Sequence, residues 1–475
     1  MMMKRKLYKI NLSLLLLIFM QFSCSEDIMD EIDTNPNSPT DVPVSLLLPQ
    51  ATINTVSAIA GGDAARAIAV FVEHATNVRL NPIEPMNVSN NHWNSTYDGL
   101  SDLSIIIQKG SEGGDEEGNY TYVGIAKVLY AYTLGSATDL YGDMPHSEAL
   151  QGSLNRTPAF DSQEAIYTDL QNLLDEAIAD LNKEAIANPG NLDLIYQGDT
   201  DKWIKAAYAL KARFYNRLSN VNPQQSAQNA LQAIANSFTG PEESFIFNQY
   251  QTGTANANPY ANFQKGQNIY AASTTFVDIL DEFTEEGFTD PRADYWLLKI
   301  NDEIVGAPVG NNQSDVAHVL YSSPSLETIL SDDAPLPLVT YDELKFIEAE
   351  ANLRQGNTEE AYNSYEEAVE EALLRTGIAE AEATAYMEQG SVLPGIDDLT
   401  LEHIIKQKYI SFWLLQAMEA YNDWRRTGIP EMRHPEGTAL RLPYPLDEVS
   451  RNPNTPSNIN DITIFTIPVW WDQNN

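Results

Sequence analysis

"TYDELKFIEAEANLRQGNTEEAYNSYEEAVEEALLRTG" (Thr340–Gly377) decides the fold class. Two runs of helical periodicity meet at Gly356, and Gly356, Ala361, Tyr365 and Ala368 fall on the turn-glycine and second-helix positions of a tetratricopeptide-type repeat. Small residues at facing positions let paired helices approach closely. The first helix lacks the large residues usual in that repeat, so an ordinary helical hairpin stays open as the second reading of the same residues. Both readings require two helices packed against each other.

Working outward, the same periodicity returns in "LTLEHIIKQKYISFWLLQAMEAYNDWRRTG" (Leu399–Gly428) and, upstream, in "SLLLPQATINTVSAIAGG" and "DAARAIAVFVEHATNV" (Ser45–Val78). In Asn90–Gly110, Trp93, Tyr97, Leu100, Leu103 and Ile107 recur at three and four, one helical face. A Gly/acid loop separates this segment from Tyr120–Pro145, whose helix should stop at Gly142 and Pro145. Asp161 and Glu164 stand in capping-box order before a further helix. Asp199–Asn220 and Pro223–Ser237 form another pair. Residues 241–340 differ, being rich in Asn, Gly, Pro and aromatics. The expected fold is mostly α: a helix-pair scaffold over 44–475, with an irregular insertion at about 241–340 and a few short β-strands.

The N-terminus reads as an address. Lys4, Arg5, Lys6 and Lys9 precede the apolar run Ile10–Met20, which has the length of a signal-peptide core and is short for a bilayer span. Cys24, the single cysteine of the chain, follows Ser23 directly and has no disulfide partner or zinc-binding companion. The pattern resembles a bacterial lipobox, in which the thiol is acylated and becomes the mature N-terminus; Gln21 departs from the usual leucine. Residues 1–23 are thus expected to be a signal peptide. Residues 24–43, opening with acidic "SEDIMDE", form a lipidated tether.

Charge excludes some functions. With 67 acidic and 28 basic residues the net charge is −39. Such a body repels phosphate backbones, so nucleic acid is not an expected partner, and no polybasic segment attaches it to anionic lipid. Catalytic signals are absent: the six histidines are scattered, and no phosphate-cradling glycine loop or G-x-S-x-G elbow occurs. Asp33, Asn35 and Asn37 alternate but lack the glycine and glutamate of a calcium loop. No cofactor or metal is expected.

Two irregular stretches carry the mixture that captures oligomers: aromatic faces for stacking beside amides and a guanidinium for directional hydrogen bonds. One, "EHATNVRLNPIEPMNVSNNHW", contributes Arg79 and Asn91. The other, "NANPYANFQKGQNIYAAS", contributes Tyr260, Phe263, Asn268 and Tyr270. Trp93 lies on an apolar face and reads first as core, as do Arg425 and Arg426 as helix-end braces. Trp470 and Trp471, near the C-terminus, are candidates for exposure.

Several blocks together resemble one family. "KVLYAYTLGSATDLYGDMPHSEAL", "NPYANF…TTFVDIL…TDPRADY", "PLVTYDELKFIEAEANLRQGN", "NDWRRTGIP" and "RLPYPLDEVSRNP" occur in the order and spacing of SusD/RagB-type outer-membrane nutrient-binding lipoproteins, from Cys24 almost to the C-terminus. The resemblance implies TPR-like helix pairs and a ligand surface built from the loop before the Trp93 helix and a loop near Tyr270. It also implies a lipid anchor at the cell surface, and capture of oligosaccharides or oligopeptides without catalysis. Members act as lids that deliver their cargo to a SusC-like TonB-dependent transporter. A TPR-like scaffold for a protein partner, and a surface glycoside hydrolase or peptidase, are the competing readings.

Overall fold

The computed structural model describes residues 42–78, 85–310, 317–435 and 437–472. The signal peptide, Cys24, nearly all of the tether, the Asp33–Asn37 stretch and Arg79 lie outside these residues.

Helix α1 (Val44–Asn54) runs through a π-helical turn into α2 (Asp63–Phe71), and strand β1 (Ala75–Asn77) follows. The long pair α3 (Pro85–Gly110) and α4 (Tyr120–Tyr141) comes next, then α5 (Gln163–Leu181), α6 (Thr200–Arg217) and α7 (Pro223–Ile234). The irregular insertion holds β2 (Phe245–Phe247), α8 (Pro259–Gln267), β3 (Tyr270–Ala272), α9 (Thr274–Glu282), α10 (Pro291–Trp296), α11 (Ala317–Leu320) and β4 (Leu336–Val339). Helices return as α12 (Tyr341–Gln355), α13 (Thr358–Arg375), α14 (Glu380–Met387), α15 (Leu401–Ser411), α16 (Ala417–Thr427) and a short α17 (Leu446–Arg451). The body is therefore mostly α-helical, with only a few short strands.

Packing runs from neighbour to neighbour: α3 on α4, α4 on α5, α5 on α6, α6 on α7, α7 on α12 and α12 on α13. This is the logic of stacked helix pairs, each covering the apolar face its neighbour cannot bury alone. α4 is the hub. From Thr121 to Tyr141 every residue is buried; the sequence is mainly apolar or small, and its two charges, Lys127 and Asp139, are paired with Asp180 and Arg217. Gly135 makes the closest approach, because a Cβ there would sit 2.3 Å from the Phe214 ring of α6.

The Thr340–Gly377 hairpin closes as its sequence predicts. Gly356 adopts the left-handed conformation (φ 81°) that caps α12, and Ala361, Tyr365 and Ala368 are fully buried on α13. Two sequence expectations are corrected. The cap of α5 is Ser162, whose hydroxyl accepts from the Ala165 N–H, while Asp161 turns back to bind the His146 and Ser147 N–H groups. Trp471 is not exposed: it is wholly buried, and its indole donates to Asp139 at 2.9 Å.

Each short sheet is a two-stranded antiparallel ladder that ties distant segments together. β1 pairs with β3 with Ala75 opposite Ala272 and Asn77 opposite Tyr270, and β2 pairs with β4. The first ladder brings the two stretches carrying the candidate ligand residues side by side.

Candidate functional site

The site is built from α2. Its sequence "DAARAIAVF" is apolar except for Asp63 and Arg66, one turn apart, which form an ion pair. Arg66 also donates to the Gly61 carbonyl at 2.6 Å, and its guanidinium lies 4.7 Å above the Phe263 ring of α8. Three fixed contacts hold that side chain in place, and the stacking uses the planar face that only arginine offers. Asp63, about half exposed, accepts from the Asn91 side-chain amide of α3 at 2.8 Å.

Phe263 continues the arrangement. Its ring centroid stands 5.5 Å from that of Tyr270, and the Tyr270 hydroxyl donates to the Arg66 carbonyl at 3.3 Å. Strand β3 is clipped to α8 by Gln264, whose side chain donates to the Tyr270 carbonyl at 3.0 Å and accepts from its N–H. Asn268 takes the left-handed position (φ 48°) that ends α8, a conformation asparagine tolerates well. Asn258 begins the same helix, accepting from the Tyr260 N–H at 2.8 Å, so its side chain is committed to capping.

The structure thus gathers Asn91, Phe263 and Tyr270 around the Asp63–Arg66 pair, with Asn268 at the end of the same helix as Phe263. Exposure divides them. Asn91 is exposed and Phe263 and Asn268 are half-exposed. Tyr260 and Tyr270 are buried and offer no ring face to solvent; burial pushes both phenols well above their ordinary range. They form the floor beneath Phe263 and Arg66. Beside them, the Val78 N–H bonds to the Ile269 carbonyl at 2.9 Å, so the chain that continues to Arg79 departs next to Asn268.

Asp63 and Arg66 escaped the sequence reading because they sit inside a helix that reads as core. The available signal was a lone acid and a lone base in an otherwise apolar helix, three residues apart.

The remaining single-residue expectations resolve into packing. Trp93 is buried in a ring cluster with Tyr97, Tyr141 and Tyr444. Arg426 pairs with Glu350 and Asp423, and Arg425 lies over Tyr421 and Trp471. Among the described residues no group of three His, Cys, Asp or Glu side chains could hold a metal ion. His74 is likewise structural: its two ring nitrogens meet the Tyr409 carbonyl and the Leu414 N–H. The chemistry on offer is recognition, by a carboxylate, an amide and a guanidinium around one aromatic edge.

Comparison with known proteins identifies the family and the fold. A family model described as "Starch-binding associating with outer membrane" matches residues 36–445. A SusD/RagB family protein of Bacteroides thetaiotaomicron is similar in structure, with a TM-score of 0.79 and 28% identity over 92% of this chain and 100% of that one. A chitin-binding SusD homolog from Flavobacterium johnsoniae shares the fold at a TM-score of 0.73 and 20% identity, covering 90% of this chain and 99% of its own. No curated protein matches by sequence. The chain belongs to the SusD-like family of starch-binding proteins associated with the outer membrane.

Proposed function

We propose that this chain is a cell-surface lipoprotein that captures nutrient oligosaccharides and, as a lid, delivers them to a SusC-like TonB-dependent transporter. The observation that carries the reading is the convergence of Asp63, Arg66, Asn91 and Phe263 on one rim, from three separate helices, in a member of a starch-binding family. Sugar hydroxyls pair with a carboxylate and an amide, and the apolar face of a sugar ring lies on an aromatic edge. Asn268 belongs to the same rim, Tyr260 and Tyr270 support it from below, and Arg79 is proposed as a further ligand residue on sequence grounds alone. The family description and the chitin-binding relative favour glycan over peptide. Residues 1–23 are the export signal, lipidated Cys24 and the tether to residue 43 anchor the protein to the outer membrane, and 44–475 is the capturing body.

The reading calls for affinity without turnover. Calorimetric titration with a panel of oligosaccharides and oligopeptides, each mixture then analysed for cleavage, tests it. Saturable binding of intact oligosaccharide is expected, and Asp63→Ala should weaken it by about tenfold, the loss of one charged hydrogen-bonding group. Binding of peptides alone would change the ligand class, and steady accumulation of cleaved product would overturn the capture mechanism.

A further inference from the structure

A second cleft opens beside the start of α3. Half-exposed Tyr97 forms its floor, backed by buried Trp93, and Asn94, Asp98 and Glu448 of α17 form its rim. Pro145, Leu150 and Pro158 stand along its sides, and the open cleft holds about 440 Å³. That volume falls in the range of small-ligand sites.

The floor is rigid. Trp93 meets Tyr141 edge-on at 4.9 Å, Tyr97 at 5.1 Å and Tyr444 at 6.0 Å, while the Tyr97 hydroxyl is held by the Pro145 carbonyl at 2.6 Å. Little ordering of these rings remains for a ligand to impose. The rim is polar and one-signed: an amide and two carboxylates, with no cationic side chain among the lining residues. Such a rim accepts hydrogen bonds from hydroxyl groups and repels carboxylate- or sulfate-bearing ligands.

Its position links it to the first site. Asn91, bonded to Asp63, and Asp98, on the cleft rim, are both exposed and stand seven residues apart on α3. That interval is two helical turns, so both lie on the same face about 10 Å apart along the axis.

We infer that the Trp93–Tyr97 cleft is a second subsite for neutral oligosaccharide, engaging a further stretch of the same chain held at Asp63, Arg66, Asn91 and Phe263. The inference rests on the oligosaccharide reading above and extends it: the protein selects length as well as chemistry. Two linked contacts raise the affinity for long chains without any new contact to short ones.

The test titrates purified protein with maltooligosaccharides and chitooligosaccharides from disaccharide to octasaccharide, and with an oligogalacturonate series. Wild type is expected to bind more tightly with length in a neutral series and to gain nothing with length in the acidic one. Asp98→Ala and Glu448→Ala, separately and combined, should leave the affinity for the shortest bound oligomer unchanged and weaken the longest by on the order of tenfold. Cleft variants that bind the longest oligomer as tightly as wild type would overturn the second subsite while leaving oligosaccharide capture intact. Wild-type protein that binds no oligosaccharide of any length would overturn both.

Discussion

Asp423 shows how single residues hold this molecule together. It is buried on α16 with its carboxylate 2.9 Å from Lys408 and 2.9 Å from Arg426. Burial alone would raise its pKa, but Lys408, Arg426 and Arg217 outweigh that and hold the carboxyl well below the ordinary range. Removing Asp423 takes the carboxylate from the buried Lys408 ammonium, while Arg426 keeps Glu350 and Arg217 keeps Asp139 and Glu419; a buried charge that loses its partner costs more than the pair itself contributes. Asp423→Ala should therefore lower unfolding stability by about 3–5 kcal/mol in denaturant titration at neutral pH. A loss under about 1 kcal/mol would place the cluster with surface ion pairs instead. Sequence carried part of this story. Arg425 and Arg426 are legible as braces because a helix ends there, but Glu350 lies 76 residues upstream, and no local pattern announces a partner at that distance. Tyr260 and Tyr270 show the converse. Their Asn-rich surroundings read as surface, whereas the β1–β3 ladder and the packing of α8 place both rings inside.

At the scale of elements, the α12–α13 hairpin separates two costs that sequence cannot tell apart. Gly356 needs its conformation but not its size: φ is 81°, and a Cβ there would meet nothing within 4 Å. Gly356→Ala should cost about 1 kcal/mol, from backbone strain alone. Ala368 needs its size: it is wholly buried, in the helix pair with the most extensive contact in the molecule. Ala368→Leu should cost more, about 1–3 kcal/mol, through overpacking. Denaturation midpoints of the two variants decide the order, and a reversed order would mean that the interface has slack. Long helices were legible because periodicity accumulates over many residues. A few short strands were expected, but their positions were not legible, because three-residue segments such as Ala75–Asn77 show too little alternation to register. Capping was legible only approximately. Asp161 and Ser162 are both competent caps, and the bond from Asp161 to the Ser147 N–H leaves the role to Ser162.

Across the whole molecule, burial of neutral histidines sets how stability responds to pH. His74 is enclosed between Phe276 and Tyr409, and burial lowers its pKa to about 3 despite the Tyr409 carbonyl. His92 is buried beside Tyr141, and desolvation lowers it to about 4. Both folded values lie below the ordinary 6.5. The unfolded chain therefore takes up protons as pH falls through 6.5, and the folded chain does so only near 4 and 3. Their contribution is complete above 6.5 and declines below it, by about 1.4 kcal/mol per pH unit for each group. The buried carboxylates held low, Asp342, Glu350, Glu419 and Asp423, act in a different window. Their stabilisation begins to fall only as pH drops below the ordinary carboxylate range of about 4. Burial raises Asp139 and Glu343 instead, so these two oppose the trend on acidification. The histidine term is isolated by difference. Unfolding free energies of wild type and of a His74→Gln, His92→Leu double variant, measured at about pH 7.5, 6 and 5, should diverge in slope, with the variant losing less on acidification. Gln keeps a side chain able to meet the Leu414 N–H and Tyr409 carbonyl, and Leu suits a site where neither His92 nitrogen has a hydrogen-bond partner. Parallel slopes would show that His74 and His92 are bystanders of the acid response.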